Sequence, residues 1–196
     1  MNQTMKHELK EYPVTYLLLM LNLMMFLIMT LVGGTTNTYV LIFFGAKVNM
    51  MIAAGEYWRL FTSMFIHIGF THLLFNLYAL LVLGKFSEKI FGHWRFVLIY
   101  LVSGLAGALV SYLLGPEVSA GASGAIFGLM GAILSYGWKK PAYWKTGLIG
   151  NFAVVLLINL FLGFVLSGID NYAHLGGLVG GALVGFVFQL RSSIKS

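Results

Sequence analysis

An all-α bundle of membrane-crossing helices is the fold class this sequence predicts, and three observations predict it. Of its 196 residues, 59% are hydrophobic and only 9% charged, with a mean hydropathy of +0.88. Soluble domains carry about 25% charged residues, so a soluble reading fails. Six apolar stretches run roughly 18 residues or more, the length that a ~30 Å hydrocarbon core demands of a helix. Finally, the basic residues sort by side. If the stretches cross in turn, Lys6, Lys10, Lys85, Lys89, Arg95, Lys139, Lys140, Lys145, Arg191 and Lys195 share one face, and Lys47 and Arg59 the other. The positive-inside rule makes the crowded face cytoplasmic, with both termini on it. The net charge of +6 thus sets orientation in a cell membrane and does not point to nucleic acid.

After a cytoplasmic segment (residues 1–14) comes the stretch Thr15–Val32. Lys6 and Lys10 ahead of it raise the alternative of a cleaved signal. The stretch exceeds the ~7–15-residue apolar core of such signals, and Val32-Gly33-Gly34 is a weak cleavage site, so a retained helix is expected. Gly33–Arg59 is the one long connection. Tyr39, Phe43, Phe44, Met50, Met51, Tyr57 and Trp58 make it too apolar for disorder, and an interfacial position is expected. Leu60–Leu83 and Phe96–Leu114 follow. Pro116 and Glu117 then break the chain, so that the stretch Gly121–Trp138 starts below the outer surface. Irregular backbone at that depth is tolerated only where protein or a water-filled cavity surrounds it. Gly147–Leu166 and Tyr172–Gln189 complete one membrane domain over residues 15–190, before a cytoplasmic tail at 191–196.

Polar residues inside these stretches are the candidates for chemistry. Counting ~1.5 Å per residue from each helix's cytoplasmic end puts Ser123 ~22 Å up, His174 ~26 Å, His72 ~20 Å and Asn76 ~14 Å. Ser123, His174 and His72 therefore share a layer close under the external face. Asn76 lies one turn deeper, with a side chain that leans toward the helix start.

Each has two readings. Ser123 is either an N-cap or a nucleophile with a base in reach. His174 is either a neutral histidine bonded to a carbonyl or the base that takes the Ser123 proton and returns it to a leaving amine. His72 and Asn76, four apart, are interhelical glue or donors to the oxyanion of a tetrahedral intermediate, together with backbone N–H groups near Ser123. Gly121 and Gly124 flank the serine and let a substrate backbone come near. Phe127, one turn after Ser123, is core packing or a plate under the imidazole. Gly177 and Gly181 share the His174 face and form a small-residue ridge for close helix contact. Asp170, one turn before His174, suits a helix-start charge, with an orienting role as the alternative. Glu88, with Gly84 before it, reads as structural. His67, His72 and His174 lack a carboxylate to complete a metal set, so no metal and no cofactor is expected. Cysteine is absent, which excludes thiolate and disulfide chemistry.

These residues resemble the rhomboid family of intramembrane serine proteases. The likeness rests on Glu56-Tyr57-Trp58-Arg59, His67, His72-x-x-x-Asn76, Gly84-x-x-x-Glu88, Gly121-x-Ser123-Gly124 and Ala173-His174-x-x-Gly177-x-x-x-Gly181, spanning about residues 55–185. The resemblance implies a six-helix bundle of the compact bacterial type and a Ser123–His174 dyad without a third acidic member. His72, Asn76 and the main chain at Ala122 and Ser123 would form the oxyanion hole. His67 would line a water-admitting cavity, and Trp58 and Arg59 would belong to an interfacial structural loop. It further implies single-pass membrane proteins as substrates, cut near the outer end of their helix within the bilayer. The sequence does not give the entry route; the fifth stretch, with few polar residues and one lipid-like face, is a candidate gate. Phe127 departs from the family pattern, which often has tyrosine there. An inactive relative that binds membrane clients and a transporter with broken helices are the rival readings.

Overall fold

The computed structural model describes residues 3–138, 140, 145, 147–165 and 168–193. Lys139, Lys195, Leu166 and residues 194–196, where the sequence set basic anchors, a span end and the tail, lie outside the described residues. The helices are α1 (Gln3–Glu11), α2 (Pro13–Val32), α3 (Thr38–Phe44), α4 (Asn49–Ala53), α5 (Arg59–Thr62), α6 (Gly69–Phe91), α7 (His93–Leu114), α8 (Ser123–Trp138), α9 (Leu148–Val165) and α10 (Asn171–Ser193). Two short antiparallel strands, β1 (Lys47–Val48) and β2 (Val118–Ser119), pair Lys47 with Ser119.

Among the described residues, α2, α6, α7 and the first twenty residues of α10 are long and apolar enough to cross a bilayer, and α8 is a shorter apolar helix. Their outward faces expose Leu17, Met24, Phe75, Leu113, Val179 and Leu183. Such faces would aggregate in water and suit acyl chains.

The centre of the bundle is α8. Gly124 through Ile133 are buried without interruption, so this helix is enclosed on every side. Lipid supplies no hydrophobic drive between helices, and close backbone contact replaces it. A Cβ on Gly177 would run into the Gly124 carbonyl, and one on Gly181 into that of Gly128. The ridge read from the sequence is therefore the α10 surface that meets α8.

The stretch Leu60–Leu83 is not one helix. Following α5, a 3₁₀ turn at Ser63–Phe65 leads into irregular backbone, and α6 begins only at Gly69, whose φ is +77°. The interruption frees His67 from helical geometry and lets its ring reach across the bundle. At its other end α6 continues to Phe91, because its last turns carry polar groups with partners. Glu88 accepts from Val14 N (3.0 Å), Thr15 N (2.9 Å), the Thr15 hydroxyl (2.7 Å) and His93 Nδ1 (2.7 Å). One carboxylate thus satisfies the free N–H groups that begin α2. Gly84 leaves room for the Thr15 side chain that enters this cap.

The long connection is ordered around two buried cations. Arg59, 5% exposed, donates to the Ile42 (2.7 Å) and Ala46 (3.2 Å) carbonyls and pairs with Glu56 at 2.7 Å. Its guanidinium lies 4.5 Å from the centre of the Trp58 ring. Lys47 is 1% exposed and ties β1 to the end of α7. Tyr39, Phe43, Met50 and Tyr57 point outward from this connection.

Candidate active site

The β1–β2 ladder holds the break after α7 in place and delivers the chain to Gly121. That glycine has φ +139° and donates its N–H to the Ser63 carbonyl at 2.9 Å. Ala122 follows, fully buried, with its N–H directed at His67 Nε2 (3.3 Å) and its carbonyl accepting the first helical bond from Ile126 N (3.0 Å). Ala122 therefore takes the N-cap position, and Ser123 is the first helical residue. Its hydroxyl is partly exposed and bonds no described residue. Ala122 occupies the cap position, so Ser123 is not the cap and its oxygen is left unused. Its own N–H is one of those without an intrahelical partner, at the positive end of the helix.

His174 lies in the first turn of α10. Asp170 caps that helix: its Oδ1 accepts from Ala173 N (3.0 Å), and its Oδ2 accepts from the Ser111 hydroxyl. Both carboxylate oxygens are thus engaged away from the imidazole. The His174 ring stacks on Phe127, centroids 4.0 Å apart and planes at 8°. Its Nδ1 is buried and has no partner among the described residues. A histidine kept for structure would be bonded there, and this one is not. Phe127 lies one turn after Ser123 on the same face of α8, so the stack brings the imidazole to the serine's face of that helix. The Ala173 carbonyl also approaches Gly107 and Gly124, positions where side chains would hold α10 away. No hydrogen bond joins Ser123 to His174, and such bonds often tighten only with substrate present.

His72 closes the third side. A Cβ on Gly121 would sit 2.9 Å from His72 Nε2 and 3.7 Å from Ser123 Oγ, so the ring edge and the hydroxyl converge over the glycine. His67 meets His72 edge-on with centroids 5.2 Å apart. The break before Gly69 lets these two rings meet although they stand five residues apart. Asn76 donates one amide hydrogen to the His72 carbonyl (2.9 Å), while its buried Oδ1 lacks a partner among the described residues.

Short contacts therefore bring Ser123, Gly121, His72 and His67 together; Phe127 and His174 stack one turn further along α8, and Asn76 lies one turn beyond His72 on α6. Gly124, Gly177 and Gly181 form the backbone contact beneath. Trp58 and Arg59 do not reach the site; their contacts are within the long connection. Two participants were missed. The Ser63 carbonyl that fixes Gly121 carries no sequence signal, and Ser111 looks like any helix serine.

A family model for the rhomboid domain matches residues 54–191. The chain belongs to the rhomboid family. Rhomboid protease GluP of Bacillus subtilis (strain 168) is 46% identical over 167 residues, covering 85% of this chain and 33% of GluP. RHOMBOID-like protein 5 of Arabidopsis thaliana is 41% identical over 153 residues, 75% of this chain and 49% of that protein. RHOMBOID-like protein 1 of the same plant is 42% identical over 148 residues, 74% and 38% respectively. The chain thus spans a third to a half of the length of these relatives. Family and apolar helices together make this rhomboid a multi-pass membrane protein.

Proposed function

We propose that this rhomboid is an intramembrane serine endopeptidase working with a Ser123–His174 dyad. One observation carries the reading: an unbonded serine hydroxyl in the first turn of a buried helix shares a helix face with Phe127, on which a buried imidazole without a hydrogen-bond partner at Nδ1 is stacked. In the proposed reaction His174 takes the Ser123 proton as Oγ attacks the carbonyl carbon of a substrate peptide bond. The carbonyl oxygen becomes an oxyanion, received by the His72 ring, the second amide hydrogen of Asn76 and the Ser123 N–H. The Ala122 N–H joins them once it leaves His67. The protonated His174 then gives its proton to the departing amine, leaving an ester on Ser123. Water deprotonated by the same imidazole hydrolyses that ester, which returns the serine and releases a carboxylate. His67, against His72, lines the route by which this water arrives. No cofactor or metal enters any step.

Phe127 supports the imidazole in place of a third acidic member, since Asp170 is committed to the helix cap and to Ser111. The site's depth fits a single-pass membrane protein cut near the outer end of its helix. The architecture proposed is six crossing helices, with α8 and α9 as the fourth and fifth, both termini cytoplasmic, Trp58 and Arg59 anchoring an interfacial connection, and substrate entering past α9. Purified protein in detergent or proteoliposomes should cleave a model transmembrane substrate, and a fluorophosphonate should label Ser123. Cleavage that persists in Ser123→Ala would overturn the reading. Binding without cleavage by the unaltered chain would make it an inactive client-binding relative instead.

A further inference from the structure

Lys47 is a buried cation that the proposed mechanism does not use. It is 1% exposed, and all three of its ammonium hydrogens have acceptors: Asn49 Oδ1 (2.8 Å), the Ser111 carbonyl (3.2 Å) and the Pro116 carbonyl. Among the described residues it makes no ion pair. Burial pulls its pKa below the ordinary lysine range, with Asp170 and Glu117 opposing from a distance. A buried ammonium without a direct counter-ion is expensive to keep, and an apolar residue of similar size would be cheaper.

What Lys47 joins explains its presence. Its own backbone pairs with Ser119 in the β1–β2 ladder, four residues before Ser123. Its ammonium holds the last turn of α7 through the Ser111 carbonyl, which also accepts from Gly115 N (2.8 Å), at the negative dipole end that favours a cation. In that same turn the Ser111 hydroxyl donates to Asp170, whose other oxygen holds the Ala173 N–H that begins the His174 helix. The residue therefore meets two chains of bonds, one running to the serine's loop and one to the histidine's helix.

We infer that Lys47 is a positioning residue that sets the Ser123 hydroxyl and the His174 ring in register, acting through Ser111 and Asp170. This rests on the dyad reading above, which supplies the two groups whose register matters. The link is a pair of helix ends sharing one serine: α7 ends on Lys47, and α10 begins on Asp170. Removing the ammonium frees the α7 end to move, and the α10 cap moves with it.

The test uses the whole protein in detergent with Lys47→Met, Ser111→Ala, Asp170→Asn and the Lys47→Met/Asp170→Asn double variant. Each single change should lower kcat about ten- to a hundredfold, the effect of an ångström-scale misplacement, with KM unchanged. The double variant should be no slower than the worse single one, because both break one chain. Independently of turnover, hydrogen exchange at the Ala173 and His174 amides should quicken in Lys47→Met and Ser111→Ala but not in Ser123→Ala. If Lys47→Met does not fold, Lys47→Arg, which keeps a buried cation but changes its donor geometry at the Ser111 and Pro116 carbonyls, is read by the same kcat and amide exchange. Multiplicative losses in the double variant, a change confined to KM, or unaltered amide exchange would each overturn the inference. An unaltered protein that cleaves nothing would overturn the dyad reading alone, and the exchange result would still stand for or against Lys47.

Discussion

At the end of the bundle where α2 and α7 begin, a buried Glu88 carboxylate accepts four hydrogen bonds and holds the starts of those helices to α6. At the opposite end, where α8 and α10 begin, the Ser123 hydroxyl, His174 Nδ1 and Asn76 Oδ1 have no hydrogen-bond partner among the described residues. Both ends place polar atoms among apolar helices, where an unmet group is costly. At the first end the Glu88 carboxylate is spent on fixing helices. The second leaves these three groups open, as a site that must admit a peptide bond and a water would. The difference teaches where to look for chemistry, although an unpartnered atom is not enough by itself, since the buried Ser87 hydroxyl and Asn22 Oδ1 also lack partners among the described residues.

The sharpest way to break this comparison is at the open end. Ser123→Ala and His174→Ala should each lower cleavage at least about a thousandfold, the scale on which nucleophile and base act. The Ser123 hydroxyl makes no hydrogen bond among the described residues, so Ser123→Ala should move thermal unfolding little, whereas His174→Ala also deletes a buried, stacked ring and should lower it. A large fall in unfolding temperature for Ser123→Ala would mean that the hydroxyl serves the fold.

Between the ends lies the glycine contact, and the second prediction tests whether both depend on it. A Cβ at position 181 meets the Gly128 carbonyl, which is backbone and cannot swing aside. Gly181→Leu should destabilise by about 3 kcal/mol or more, at the upper end of overpacking effects, measured by unfolding in detergent. Substrate cleavage should fall with the folded fraction. Full stability would show that α8 and α10 meet elsewhere.

The closed end should answer in the opposite sense to the open one. Glu88→Ala strands the Val14 and Thr15 donors and should cost about 3 kcal/mol of stability, given the strength of bonds to charged acceptors. The protein that remains folded should keep its kcat. Glu88→Gln, which retains one acceptor oxygen, should lose roughly half as much. A kcat loss in folded Glu88→Ala protein would erase the distinction between the two ends.

Much of this was legible in the chain. Composition and stretch length predicted a membrane bundle, and counting residues from basic anchors placed Ser123, His174 and His72 in one layer. The glycine spacing at 177 and 181 gave the contact face. What the sequence could not show is where backbone, rather than a side chain, does the work. The interruption at Ile66–Ile68 follows from Gly69 and from a histidine reaching across the bundle, and apolar periodicity averages over such a break. Ala122 as cap was equally hidden, because serine is the stronger capping residue and backbone carbonyls look alike in every sequence. Lys47 stood out only as one of two basic residues on its side, with nothing to say that it was buried.

The smallest effect concerns Phe127, and it sharpens the comparison at the open end. The His174 ring has no carboxylate behind it, so its orientation depends on the parallel stack at 4.0 Å. Stacked aromatic pairs contribute about 0.5–1.5 kcal/mol beyond their buried area. Phe127→Leu keeps most of the volume and removes the plate, so kcat should fall about three- to tenfold at constant KM, by the same energy. Phe127→Tyr keeps the plate and adds a hydroxyl, so it should retain unaltered turnover. If leucine matched phenylalanine, the ring would have to be held by α8–α10 backbone contact alone, and Phe127 would belong with the core.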